Sequence, residues 1–100
     1  MVVIHDIVIE PAPVRTDVPL RIRVSYENDL DGVTVHVEGQ GEGVAWPAQS
    51  QPALDGTRTA QFSGSVVVTG PLPAPLTLEI QLRQGERVRA QQSRQVQVSE

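Results

Sequence analysis

Apolar and polar residues alternate with a period of two along most of this chain. A strand sends successive side chains to opposite faces, so such alternation marks half-buried strands. The clearest run is 19–26, where Leu20, Ile22, Val24 and Tyr26 share one side and Arg21, Arg23 and Ser25 the other. Residues 33–38 repeat the pattern with Val33, Val35 and Val37 inward. Residues 76–83 repeat it again with Leu76, Leu78, Ile80 and Leu82 inward. No segment places apolar residues at three-and-four spacing over three turns, so no helix is expected.

The other segments follow from these. Residues 2–10 form an apolar-rich first strand stopped by Pro11 and Pro13. Residues 57–68 are expected as one long strand with Ala60, Phe62, Val66 and Val68 inward and a bulge at Gly64. The glycines and prolines of 39–56 predict a loop holding one short strand at 44–46. Pro71, Pro73 and Pro75 form a crossover that cannot join a ladder at the prolines. The last strand runs over 87–98 with Val88, Ala90, Val96 and Val98 inward. If Leu82 and Val88 share the inner face, the hairpin between them has a three-residue loop at 84–86 or contains a bulge. A three-residue loop would set Glu79 diagonal to Arg89. The predicted core is Leu20, Ile22, Val24, Val35, Val37, Phe62, Val66, Leu78, Ile80 and Val88.

With 100 residues, the chain fits one domain, 1–100. About seven short strands with turn signals between them make it an all-β, two-sheet antiparallel sandwich. Cysteine is absent, so neither disulfides nor thiol chemistry enter. The net charge is −4 and all eight basic residues are arginine. Nucleic-acid binders usually carry a basic face, so no nucleic-acid partner is expected. No apolar run approaches the roughly 20 residues of a membrane helix, so no membrane insertion is expected. No targeting signal is visible, which places the chain in the cytoplasm if complete and outside the cell or in the envelope if a fragment.

The segments "DVPLRIRVSYEN", "LDGTRTAQFSGSVVV" and "LTLEIQLRQGERV" follow one another across most of the chain, joined by proline-rich corners. This arrangement resembles bacterial immunoglobulin-like and fibronectin-type-III-like modules, including adhesion-related domains that stand in tandem on surface proteins. The antibody Cys…Trp…Cys signature is absent. The resemblance implies an immunoglobulin-like, non-catalytic structural or protein-interaction module, a unit of a larger surface or envelope assembly. It further implies a protein partner or neighbouring domain, and a monomer or weak self-association.

Candidate sites are few. Glu27, Asp29 and Asp31 alternate before Gly32, with Glu38 further on, close to the spacing of a calcium loop. The flanks read as strands rather than helices, and an extended 33–38 would carry Glu38 about 20 Å from Gly32 at roughly 3.3 Å per residue. An acidic solvated turn is the simpler reading, with calcium at 27–32 as the alternative. The Gly39, Gly41 and Gly43 run lacks the helix N-terminus a phosphate site needs, and Glu42 would repel a phosphate. His5 and His36 lack metal-ligand spacing. Ser25, Ser63 and Ser65 sit inside strands without a nucleophile elbow. No catalytic residue and no cofactor are therefore expected. Arg21 with Arg23, and Arg87 with Arg89, read as solvated patches on opposite sheets. Trp46 is the one aromatic without an evident core role, so Trp46 and Val44 are the expected contacts for a protein partner on the edge and loops between Gly39 and Leu54. A glycan stacked on Trp46 is the other ligand-binding alternative.

Overall fold

Each run of alternation becomes a strand, and a few departures from strict alternation decide how the strands assemble. The computed structural model describes residues 1–100. It contains β1 (Val3–Glu10), β2 (Val14–Arg15), β3 (Leu20–Asn28), β4 (Val33–Gly41), β5 (Val44–Pro52), β6 (Gly56–Gly64), β7 (Val67–Val68), β8 (Ala74–Gln84) and β9 (Arg87–Ser99). One sheet has the order β1-β3-β6 and the other β2-β9-β8-β4-β5-β7. The molecule is all-β with two sheets, but it has nine strands rather than seven, two of them only two residues long. One pairing is parallel: β2 lies beside the end of β9, with Val14 opposite Val98. The chain crosses between the sheets at Pro11 and Pro13, each preceded by a cis peptide bond. Nineteen buried apolar residues form one cluster that draws on both sheets.

Three bulges set which residues of the edge strands face inward. In β1, Ile4 opposes Tyr26 while Asp6 opposes Ser25, so His5 is the extra residue. Strict alternation from Ile4 would turn Asp6 and Val8 inward. The bulge instead sets Ile7 against Val24 and Ile9 against Ile22. In β5, Trp46 opposes Gly39 and Gln49 opposes Val37, which leaves Pro47 and Ala48 against Glu38 alone. In β9, Ala90 opposes Leu82 and Val88 opposes Arg83, so Arg89 is the extra residue.

The last bulge corrects the hairpin. Its turn is the two residues Gly85 and Glu86, with Gln84 paired to Arg87. Ala90 takes the inner position opposite Leu82, and Val88 faces out at 46% exposure. Of the two expected alternatives the bulge is present and the three-residue loop is not, and it is Ala90 rather than the expected Val88 that the bulge brings inward. Glu79 accordingly opposes Ser93, and Arg89 lies against Gln84 instead of Glu79.

The 39–56 region is the largest departure from expectation. It holds the last three residues of β4 and all of β5 around a turn at Glu42 and Gly43. The glycines serve close packing. A Cβ on Gly39 would lie 2.9 Å from both Leu78 Cδ2 and Trp46 Cβ, and one on Gly41 would run into the Pro75 carbonyl. Of the closely spaced glycines 39, 41 and 43, Gly43 alone has a positive φ, 77°. Pro47 falls in the bulge, where a missing N–H is tolerated. Pro75 is also inside a ladder, opposite Gln97. Its carbonyl faces the Gly41 side, so its nitrogen points away from β9 and no β8–β9 bond is lost.

The expected long strand 57–68 is broken. Gly64 ends β6 in the three-stranded sheet, and Val67 and Val68 pair with Ala45 and Val44 in the other. A chain that changes sheets cannot keep one inner face, so Val66 is half-buried and Val68 exposed. Of the ten predicted core residues, Leu20, Ile22, Val24, Val35, Val37, Phe62, Leu78 and Ile80 are buried; Val66 and Val88 are not.

Candidate functional site

The acidic turn follows the end of β3. Asn28, almost fully buried, organises it: its Oδ1 accepts from the Leu30 N–H at 3.1 Å and its Nδ2 donates to the Leu30 carbonyl at 3.0 Å. Gly32 closes the turn at φ 72°. The three carboxylates have separate surroundings. Glu27 Oε1 lies 3.4 Å from His5 Nε2, and Asp29 pairs with the amino terminus. That ammonium, chiefly through its hydrogen bond, holds the Asp29 carboxyl below the usual carboxylate range. At Asp31 the backbone carbonyl is engaged, accepting from Gln84 Nε2 at 2.8 Å. No group of three or more His, Cys, Asp or Glu side chains is placed to share a metal ion. His36 sits at mid-strand opposite Gln81, away from His5.

Trp46 and Val44 are core residues, which corrects the expectation of a free aromatic on an open edge. Trp46 is 1% exposed and its indole Nε1–H donates to the Gly64 carbonyl at 2.9 Å. Val44 is 2% exposed and pairs with Val68 of the short strand β7. Tyr26 is likewise committed, its hydroxyl accepting from the Leu54 N–H at 2.9 Å. A buried indole offers no face for a sugar ring, so the reason for expecting a glycan at Trp46 is gone.

The two sheet faces carry different polar ladders. On the outside of the three-stranded sheet, Arg21 and Arg23 share the Glu10 carboxylate at 3.4 and 3.2 Å. A shallow groove there is lined by Val8, Glu10, Arg21, Arg23, Gln61 and Ser63. On the outside of the six-stranded sheet, Glu38 and Glu79 oppose each other directly, an unfavourable pairing on a sheet surface. Near the sheet crossover, Arg15 hydrogen-bonds Asp17 at 3.1 Å, which raises the arginine pKa and lowers that of the carboxyl.

What the sequence did not disclose lies at the open sides of the sandwich, where the outer strands of the two sheets meet. After the β5 bulge, Gln49 and Gln51 point inward and their amides donate to the Ser63 and Gln61 carbonyls of β6 at 3.0 and 2.9 Å. With Trp46 on Gly64, three carbonyls of β6 accept side-chain donors from the opposite sheet. On the other side Gln92 of β9 donates to the Ile4 carbonyl of β1 at 3.0 Å. A glutamine at an inward parity position beside a bulge is the signal that would have located them. The arginines of β9, by contrast, rest on uncharged acceptors: Arg89 Nη2 on Gln84 Oε1 at 2.7 Å, and Arg94 Nη2 on Gln92 Oε1 at 2.8 Å.

No protein-family model matches the chain, and no curated protein matches its sequence.

Proposed function

We propose that this chain is a non-catalytic module of the immunoglobulin-like or fibronectin-type-III-like kind, a spacer and protein-binding unit of a larger surface or envelope assembly. The strand order carries the reading. The order β1-β3-β6 in one sheet and β9-β8-β4-β5 in the other is compatible with A-B-E and G-F-C-C′ of such a fold, which supports the reading. The buried polar side chains support it further, because they serve the scaffold. Asn28 ties the acidic turn, and Gln81 donates to Glu79 at 2.6 Å and Gln91 at 2.9 Å.

The path of the chain suits a spacer. Val3 pairs with Glu27 beside the acidic turn, and Val98 pairs with Ala74 and Val14 at the other end of the strands. The chain therefore enters at one end of a body 42 Å long and leaves at the other. Two copies fused head to tail, Glu100 to Met1, test this by small-angle scattering and thermal melting. The expected tandem is an extended particle roughly twice the 42 Å length of one copy, melting at the temperature of the single module. A tandem that folds back side by side, or melts well below the single module, overturns the spacer reading.

A further inference from the structure

The strand edges of this molecule are protected unequally. An exposed edge carries unpaired N–H and C=O groups that can accept another strand, and proteins blunt such edges with prolines, bulges, charges or cover. The β6 edge has its Gln61, Ser63 and Gly64 carbonyls occupied by side chains. The β5 edge contains Pro47, Pro52 and a bulge. The β1 edge is broken by the bulge at His5 and runs into Pro11. The β9 edge is the least protected: a side chain occupies one carbonyl there, that of Ser93, which accepts from the exposed Arg94 Nη1 at 2.9 Å. β2 covers it only at Val98 and Ser99. Residues 90–97 hold a regular register with β8 and contain neither proline nor glycine.

The charge on this edge differs too. Strand β9 carries Arg87, Arg89 and Arg94 and no Asp or Glu, in a chain of net charge −4. The ion pairs of the molecule involve Arg15, Arg21 and Arg23 but none of these three. Arg94 shares the face of Gln92, opposite Leu78, and Arg89 reaches the same side through Gln84. Two unneutralised guanidiniums thus stand on one side of the unpaired strand. Pairing two copies of β9 would set arginine-bearing strands against each other, and like charges across a ladder are unfavourable.

We propose that the free edge of β9 takes up an extended acidic peptide as an added strand. Main-chain hydrogen bonds to residues 90–97 hold it, and its carboxylates, on alternate residues, meet Arg89 and Arg94. Strand addition draws affinity from the backbone and selectivity from the alternating side chains. Charge complementarity then chooses the partner, and salt weakens the contact. This deepens the module reading and rests on it.

The test uses the whole chain and three eight-residue probes with blocked ends. One alternates Glu and Thr, one alternates Lys and Thr, and one is the Glu-Thr peptide N-methylated at alternate residues to remove ladder donors. Binding is read from amide chemical shifts. The expected result is Glu-Thr binding that perturbs residues 87–97 and exceeds each of the other probes by about tenfold or more. It weakens several-fold between about 50 and 300 mM salt. The double variant Arg89→Glu with Arg94→Glu, exposed and expected to melt like the parent, reverses the preference toward the Lys-Thr peptide. Equal binding of the N-methylated probe overturns strand addition in favour of a loose charge contact. Shifts outside β9, or no binding by a folded monomer, overturn the β9 assignment and leave the spacer reading standing, since the tandem measurement judges that separately. A concentration-dependent dimer joined through β9 overturns the choice of an acidic partner.

Discussion

Replacing Trp46 by alanine asks most directly whether this residue belongs to the interior or to a surface. The indole is 1% exposed, sits over the opposing Gly39, and donates to the Gly64 carbonyl at 2.9 Å. Truncating a buried large aromatic costs about 3–5 kcal/mol. An acceptor left unpaired adds about 1–3 kcal/mol unless water reaches it. Domains of this size are stable by about 5–15 kcal/mol in total, so the variant loses a large part of what holds the fold. At roughly 4–8 °C per kcal/mol, the aromatic term alone lowers the melting temperature by about 12–40 °C. Trp46→Phe separates the two contributions, because it keeps most of the ring and removes the N–H; it should cost about 1–3 kcal/mol. Urea unfolding followed by far-ultraviolet circular dichroism measures both without relying on tryptophan fluorescence. If Trp46→Ala does not fold, the phenylalanine variant still reports. A loss below about 1 kcal/mol for Trp46→Ala would refute the core assignment. A phenylalanine variant as damaged as the alanine one would refute the division between packing and hydrogen bond.

Three further outcomes are expected. Ile80→Ala should cost about 2–5 kcal/mol in the same unfolding measurement, whereas Val88→Ala should stay within about 0.5 kcal/mol because Val88 faces solvent; equal losses would contradict the bulged hairpin. Gly39→Ala should destabilise by about 1–3 kcal/mol through overpacking, since its Cβ would meet Leu78 and Trp46 at 2.9 Å, and a neutral or stabilising effect would restore the flexible-loop reading of that segment. Millimolar calcium should leave the melting temperature unchanged, because Glu27 and Asp29 are directed at separate partners; a rise of several degrees that Asp31→Asn abolishes would establish a calcium site.

The strands with unbroken alternation were legible from the sequence. β3, the first part of β4, and β8 follow their apolar residues at every second position, because both neighbours of a central strand impose one register. The edges were harder to read. His5, Pro47 with Ala48, and Arg89 each add a residue that changes which side the rest of the strand presents. Nothing in a local window announces such a bulge. Its signature is an inconsistency between the two halves of a strand, such as Ile4 and Ile7 both needing the core. The glycines of 39–43 misled for a related reason. Glycine marks flexibility and close approach with the same letter, and only the Leu78, Trp46 and Pro75 atoms beside Gly39 and Gly41 distinguish them.

Trp46 and the glutamines show why the candidate surface moved from one side of the molecule to the other. On sequence alone, Trp46 looks like a lone aromatic between glycines and a proline, while the tail looks like a glutamine-rich strand of little interest. The bulge at Pro47 and Ala48 allows Trp46 to face inward and then brings Gln49 and Gln51 to the same side, where they reach the carbonyls of β6. One local irregularity therefore fills the interior and covers the β6 edge, while β7 pairs with Val44 and Ala45 and takes up the edge of that segment. Across the sandwich, Gln92 makes a single such link to β1, and the arginines of β9 find neutral acceptors only. The difference between the two sides is thus a difference in how many edge carbonyls and charges the molecule satisfies by itself. The side it satisfies least is the one on which an added strand would gain most.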